Sequence, residues 1–245
     1  MGVRMMSKLW DLVASAFYPK RCPCCGEVRS DYRPCESCEA ALDSVRIKGT
    51  SCRKCGEALR DCQCGGFNPL YTGVVAPFKR HGMAKEGVYS LKFHAKFYAA
   101  EYFGTEMAKE FRRRYPDVRI DVACGVPSTK KELEDKSCDQ VSLLARYVVK
   151  ALRVQYSPKL IKKMRETKRQ RELKHDERAA NVKDAFKVRE NLKGKTVLLI
   201  DDIKTTGYTL SECAKQLRLQ GAKEVYCLTA LVTAFNSCKE SEDDI

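Results

Sequence analysis

Apolar positions along the chain repeat with two periods, and their succession outlines the elements. In KLWDLVASAF, Leu9, Leu12, Val13, Ala16 and Phe17 recur at helical spacing, which predicts an amphipathic packing helix within residues 1–20. Lys8 and Asp11 inside it argue against a leader peptide. YTGVVAPF reads as a strand, GMAKEGVYSLKF and YAAEYFGTEMAKEFRRRY as helices, and DVACGVP as a buried strand ended by Pro127. DQVSLLARYVVKAL carries Val141, Leu144, Ala145, Val148 and Leu152 on one helical face. KTVLLID is a buried strand, TLSECAKQLRLQG a helix and EVYCLTALV another strand. Strands alternating with helices predict an α/β domain with a mostly parallel, doubly wound sheet. The expected organisation is a helix at 1–20, a cysteine-rich module at 21–70, the α/β domain at 71–235 and an acidic flexible tail at 236–245.

The module draws its character from cysteine. Nine of the 14 cysteines lie between positions 22 and 64, and that density without an export signal points to metal rather than disulfides. Cys22-x-x-Cys25-Gly26 recurs 30 residues on as Cys52-x-x-Cys55-Gly56, and each knuckle precedes a second pair, Cys35/Cys38 and Cys62/Cys64. Two intervening residues let a tight turn present both sulfurs to one tetrahedral zinc ion, and the following Gly accepts the positive φ of such a turn. The expected ligands are Cys22, Cys25, Cys35 and Cys38 for one Zn²⁺ and Cys52, Cys55, Cys62 and Cys64 for a second. An interleaved pairing is the alternative, since spacing does not fix which knuckles share an ion. Cys24 is a spare, and Cys124, Cys213 and Cys227 belong to apolar patterns and the core. Such a module is either a staple that replaces a core of its own or a nucleic-acid reader.

Candidate chemistry gathers at VLLIDDIKTTGYTL, residues 197–210. A continuous apolar run, Val197 to Ile200, ends on Asp201-Asp202 and passes through Thr205, Thr206 and Gly207 into a helix. Thr209 and Glu212 form a T-x-x-E capping pattern, and Gly221 ends the helix. Open α/β sheets bind ligands where a central strand ends and a helix begins. The loop offers N–H groups, hydroxyls and a positive dipole end for a phosphate. The adjacent carboxylates suit sugar hydroxyls or Mg²⁺. Phosphate beside a vicinal diol describes a ribose 5-phosphate. No Walker A loop and no G-x-G-x-x-G after a strand is present.

Charge and hydropathy narrow the partners. The formal net charge is +14, which favours anionic partners. Two four-thiolate zinc sites at about −2 each would bring it to about +10. Basic residues crowd Lys162 to Arg178, which reads as a long charged loop or exposed helix able to close over pyrophosphate or to track a nucleic-acid backbone. No run approaches the roughly 18 apolar residues of a membrane span, and the chain is expected to be cytoplasmic.

These residues resemble a known family. Val197 to Leu210 looks like the phosphoribosyl-pyrophosphate (PRPP) motif of type I phosphoribosyltransferases. The cysteine module, together with Thr167-x-x-Gln170-x-x-Leu173-x-x-x-Glu177-Arg178-x-x-Asn181-Val182, Ala185-Phe186-Lys187-Val188 and the SLKF segment with Lys92, resembles the ComF proteins of bacterial competence. The resemblance covers nearly the whole chain. It departs at Lys204, where the family usually has an apolar residue, and at Lys136-Ser137-Cys138-Asp139-Gln140, in place of Arg-Gly-Phe-Asn-Gln.

What the resemblance implies is a type I phosphoribosyltransferase-like sheet preceded by a double zinc ribbon. Asp201, Asp202, Lys204, Thr205, Thr206, Gly207, Tyr208 and Thr209 would bind PRPP with Mg²⁺. Ser128, Thr129 and Lys130 would form a pyrophosphate loop, and Lys168, Arg169, Gln170 and Arg178 a flexible loop. Two functions follow from different classes. One is an enzyme that transfers phosphoribosyl to a nucleobase-type acceptor. The other is a non-catalytic protein of DNA uptake that binds single-stranded DNA or a helicase-type competence partner and uses the site as a ligand sensor.

Overall fold

The structure, a computed structural model, describes residues 19–94, 97–129, 138–167 and 175–234. The helix expected over 1–20, apart from its last two positions, and the tail after 234 lie outside the described residues, as do Lys130, Lys168, Arg169 and Gln170. The cysteine-rich stretch contains helix α1 (Glu36–Val45) and a 3-10 turn (Leu59–Asp61). Then follow β1 (Gly73–Val75), β2 (Phe78–Lys79), α2 (Gly82–His94), α3 (Phe97–Arg114), β3 (Val122–Gly125) and α4 (Gln140–Leu152). The chain continues through β4 (Ile161–Lys163), α5 (His175–Val182), β5 (Phe186–Val188), β6 (Thr196–Lys204), α6 (Tyr208–Leu219) and β7 (Glu224–Val232).

The main sheet runs β1-β7-β6-β3, all parallel, with β2 continuing beside β7. Its strands are apolar without interruption because both faces are covered. Leu198 and Ile200 of β6 pack with Leu91 of α2, Phe103 and Met107 of α3, and Leu144 and Val148 of α4. Val197 and Leu199 pack on the other face with Leu210, Cys213 and Leu217 of α6 and Phe186 of β5. Cys124, Cys213 and Cys227 are fully buried, as their apolar settings predict.

Four local expectations are corrected. YTGVVAPF is two short strands rather than one: Pro77 has no N–H for the ladder, and its carbonyl accepts from the Ile47 N–H at 2.9 Å instead. The strand expected to end on Asp201-Asp202 runs on to Lys204, still paired with β7 through Ile203↔Leu231 and Lys204↔Val232. Lys162 and Lys163, assigned to a charged loop or exposed helix, sit in β4, antiparallel to β5, with Ile161 and Val188 turned into the core. The T-x-x-E pattern is not the cap of its helix: α6 begins at Tyr208, and its N-cap is Gly207 at φ 88°. The other end is as expected. Gly221 at φ 92° closes a Schellman turn, its N–H donating to Arg218 O at 2.9 Å and that of Ala222 to Leu217 O at 3.2 Å.

Two contacts hold the helical layer against the rest. Glu106 of α3 accepts from Arg46 at 2.8 Å and from Lys109 at 2.7 Å, tying the end of α1 to the domain. Burial pushes this carboxyl up, but the two hydrogen bonds outweigh it and hold the group below the usual carboxylate range. Gly104 marks the crossing of α3 and α4. A Cβ there would stand 2.8 Å from the Tyr147 Cβ and 2.9 Å from the Leu144 carbonyl oxygen. Glycine inside a helix costs about 1 kcal/mol relative to alanine, and here it is the only side chain that admits this approach. Gly104→Leu should therefore destabilise the protein by about 1–3 kcal/mol through overpacking, read from urea unfolding midpoints; parental stability would show that the helices do not cross so closely.

Candidate functional site

The two knuckles are built alike. Gly26 (φ 81°) donates to Cys22 O at 3.0 Å, and Gly56 (φ 82°) to Cys52 O at 2.9 Å. Cys22 N–H donates to Glu27 O at 2.8 Å, and Cys52 N–H to Glu57 O at 2.7 Å. Each turn thereby gathers two sulfurs, and the second pair arrives from the N-terminus of α1 (Cys35, Cys38) or from the strand of chain after the 3-10 turn (Cys62, Cys64).

The sulfurs of Cys22, Cys25, Cys35 and Cys38 lie within 4.8 Å of one another, and so do those of Cys52, Cys55, Cys62 and Cys64. This is the sequential pairing, not the interleaved one. Separations of 3.7 Å (Cys25–Cys35), 3.8 Å (Cys52–Cys64), 3.6 Å (Cys55–Cys62) and 3.4 Å (Cys62–Cys64) are those of a tetrahedron around one ion. Zinc–sulfur bonds of about 2.3 Å require tetrahedral edges of about 3.8 Å. Both donor sets fit zinc.

One thiol in each set is readied to ionise. Burial raises Cys22, but the N–H groups of Cys25, Cys35 and Cys24 outweigh it and bring the thiol down to about 6. The Cys55 and Lys54 N–H groups act likewise against burial and bring Cys52 down to about 7. Cys24 belongs to neither set; it is buried, and burial followed by the neighbouring sulfurs pushes its thiol far up.

The second chemical cluster sits at the C-terminal edge of the sheet. Asp201 pairs with Thr229 in the ladder and is half-buried, as is Asp202. Asp201 Oδ1 accepts from the Asp202 N–H at 2.9 Å, and Asp202 Oδ1 from the Ile203 N–H at 2.7 Å. These bonds coincide with a shift in the alternation of the strand. Leu198 and Ile200 face the α2–α4 layer, yet the next residue to join that layer is the odd-numbered Ile203. After Thr205 and the buried Thr206, Gly207 turns the chain directly into α6, with Ser211 N–H closing on Gly207 O at 2.9 Å. Tyr208 and Thr209 form the first turn.

The neighbouring strand supplies a second loop at the same edge. Gly125 pairs with Ile200, Val126 N–H donates to Ile200 O at 2.8 Å, and the chain leaves through Pro127, Ser128 and Thr129. A cleft of about 320 Å³ opens between α5 and α6, lined by Val182, Tyr208, Ser211 and Lys215. A larger cavity of about 450 Å³, lined by Arg112, Arg119 and Arg153, lies at the opposite end of β3 and shares no residue with the cluster. Arg178 falls within α5. Asp139 is the N-cap of α4, accepting from Ser142 N–H at 3.1 Å, and buried Gln140 donates to Val88 O at 3.3 Å. The departing segment 136–140 thus ends in two residues that anchor a helix.

Residues 102–245 match the model of the phosphoribosyl transferase domain. The chain belongs to the phosphoribosyl transferase domain family. Two relatives align over more of the chain than that domain. The DNA utilization protein YhgH of Escherichia coli (strain K12) is 29% identical over 201 residues, 78% of this chain and 88% of that one. Competence protein ComFC of Bacillus subtilis (strain 168) is 27% identical over 205 residues, 79% of this chain and 81% of that one. The expected kinship with ComF proteins holds. Among solved structures, the glutamine PRPP amidotransferase of B. subtilis is 25% identical with a TM-score of 0.36, covering 52% of this chain and 25% of its own. Among the described residues no helix is long and apolar enough to cross a membrane.

Lys204, named in the motif, has its side chain turned inside: it is 1% exposed and its Nζ donates to Thr205 O at 3.1 Å. Two residues near the site, Glu57 and Phe67, escaped the sequence reading. Glu57, also 1% exposed, follows the second knuckle, with Lys79 Nζ 3.7 Å from its Oε2. Glu27 holds the same place in the first knuckle and is exposed, so the repeat gave no signal that separates them. Phe67 closes over the loop, its ring edge-on to Tyr208 at 5.7 Å.

Metal analysis of the reduced protein should return about two zinc ions per chain, one for each sulfur set. Cys24→Ser should retain both, and Cys38→Ser should retain about one. A parent that holds a single ion, or a Cys24→Ser variant that loses one, would contradict these ligand sets.

Proposed function

We propose that the end of β6 and the 205–209 loop bind PRPP, or a related ribose 5-phosphate ligand, and that the protein transfers the phosphoribosyl group to a nucleobase-type acceptor. The observation that carries this reading is the unit of Asp201, Asp202, loop and α6. Two carboxylates have their Oδ1 atoms committed to backbone N–H groups, beside a loop that opens straight into a helix N-terminus. Asp201 and Asp202 then hold the ribose diol, and Lys204 to Thr209 wrap the 5-phosphate with N–H groups, hydroxyls and the positive end of α6. Ser128, Thr129 and Lys130 take the pyrophosphate, and Lys168, Arg169, Gln170 and Arg178 close over it. Mg²⁺ would neutralise pyrophosphate charge. The bond from C1 to pyrophosphate breaks with its electron pair leaving on pyrophosphate, a ring nitrogen of the acceptor forms the new bond to C1, and the proton that nitrogen carried passes to the released pyrophosphate. Positioning and charge stabilisation supply the rate; neither Asp acts as acid or base. The two zinc ions are structural.

A second reading is supported by the names of the relatives, one a DNA utilization protein and one a competence protein, and by the +14 charge. In it the site senses the same ligand, while the cysteine module and the basic 162–178 segment bind single-stranded DNA or a helicase-type partner. Pyrophosphate release from PRPP with a panel of bases, run beside single-stranded DNA titrations at several salt concentrations, separates the two.

Asp201→Asn with Asp202→Asn keeps the Oδ1 acceptors that hold the next amides and removes both charges. PRPP affinity measured by calorimetry should fall by about 2–4 kcal/mol, the scale of two charge-assisted hydrogen bonds, while the unfolding midpoint hardly moves. Thr206→Val should weaken binding without changing its Mg²⁺ dependence. Parental affinity in the double Asn variant would remove the ribose site from both readings.

A further inference from the structure

The cavity of about 450 Å³ at the far end of β3 has no part in the site at the β6 edge. It opens between the last turn of α3, the 116–121 chain that leads into β3, and the 152–155 chain that leaves α4. Each of these supplies one arginine: Arg112, Arg119 and Arg153. Among the described residues none of the three is in an ion pair. The lining also holds two carboxylates, Asp117 and Asp121, so three guanidinium groups leave it positive. Asp121 is already engaged, its Oδ2 accepting from the Thr196 N–H at 2.8 Å.

Arg112 and Arg153 stand at helix C-termini, where the dipole alone favours a cation. Arg112 meets that role by donating to Leu152 O at 3.2 Å. The dipole does not account for Arg119, which lies on no helix, nor for the backbone of Arg153. Arg153 holds φ 57° and ψ 46°, the left-handed region. Its N–H and that of Val154 both donate to Val149 O, the latter at 3.1 Å, in a turn where glycine is the usual residue. Among the described residues one other non-glycine has a positive φ, Asp184, and aspartate tolerates that region. An arginine there is strained where glycine would not be, and such strain gathers at ligand sites. What glycine could not supply is the guanidinium that lines the cavity.

Small-molecule sites are concavities of about 300–1,000 Å³. Guanidinium forks match phosphate oxygens in geometry and charge. Half-buried Val118 and Val154 add an apolar wall for a ring, and the Gln155 amide carries both a donor and an acceptor for a base edge. We propose that this cavity is a second ligand site, which takes a nucleoside phosphate with its phosphate on Arg119 and Arg153. The site stands whatever the β6 edge binds.

Full-length protein with zinc in place is titrated with ADP by calorimetry, and amide hydrogen exchange locates the ligand. ADP should slow exchange at 117–121 and 153–155, in the parent and equally in the variant with Asp201→Asn and Asp202→Asn. Arg119→Gln and Arg153→Gly should each weaken this binding by about tenfold or more, the scale of one charge-assisted hydrogen bond. Arg153→Gly is the decisive variant. Glycine relieves the left-handed backbone, so the unfolding midpoint should hold or rise while ADP binding is lost. Inorganic phosphate and adenosine should each bind about tenfold more weakly than ADP, since each fills only part of the cavity. Unchanged exchange at both segments in millimolar ADP overturns the proposal, as does parental ADP affinity in Arg153→Gly. Inorganic phosphate that binds as tightly as ADP would reduce the cavity to a general anion contact. A single-stranded oligonucleotide that protects both segments where ADP does not would give the arginines to nucleic acid and likewise overturn it.

Discussion

The ladder between β6 and β7 is the constraint on which the rest depends. It runs from Thr196↔Glu224 to Lys204↔Val232, and β3 pairs with the opposite edge of β6. A parallel ladder of this length has to be covered on both faces, which places α2, α3 and α4 on one side and α6 with the β4–β5 pair on the other. It also brings the C-terminal ends of β3, β6 and β7 to one edge. Everything chemically distinctive in the domain sits there, because that is where side chains can leave the ladder without exposing core. The acids are tolerated at the edge of so apolar a strand because each gives an oxygen to the following amide.

The cysteine module is less separate from this sheet than its composition suggests. Cys22, Cys24, Cys35 and Cys38 are part of the same buried cluster as Phe103 and Leu144. Pro23 O lies 3.2 Å from where a Cβ on Gly87 would be, so α2 carries a glycine to receive the first knuckle. The second knuckle meets Val74 and Val232. Arg46 reaches Glu106 and stacks over Phe78 at 4.7 Å. A metal that closed these turns would therefore act on the packing of the domain as well as on the module.

Most of the main sheet was legible because its strands are buried on both faces and read as unbroken apolar runs. The helices of the two layers were legible for the matching reason, a single apolar stripe each. The β4–β5 pair was not, since three-residue strands bearing Lys162, Lys163 and Lys187 carry too little periodicity to outweigh their charge. Helix α1 was hidden inside the cysteine spacing. Gly207 displaced the expected cap because a glycine at φ 88° starts a helix from the turn itself, leaving Thr209 inside the first turn. The sulfur sets were legible in composition, and their sequential pairing took the geometry to decide.

Lys204 illustrates why the remainder was out of reach. Read alone, a lysine in a phosphate-binding motif looks like a group for the phosphate. Its place in the ladder says otherwise: Val232 beside it is fully buried, so a side chain at 204 on the same face enters the core. What surrounds a side chain there is set by distant chain, just as the knuckle repeat presents Glu27 to solvent and Glu57 to the interior. A sequence reads out its local periods directly, but burial of this kind exists only in the contacts that the fold creates.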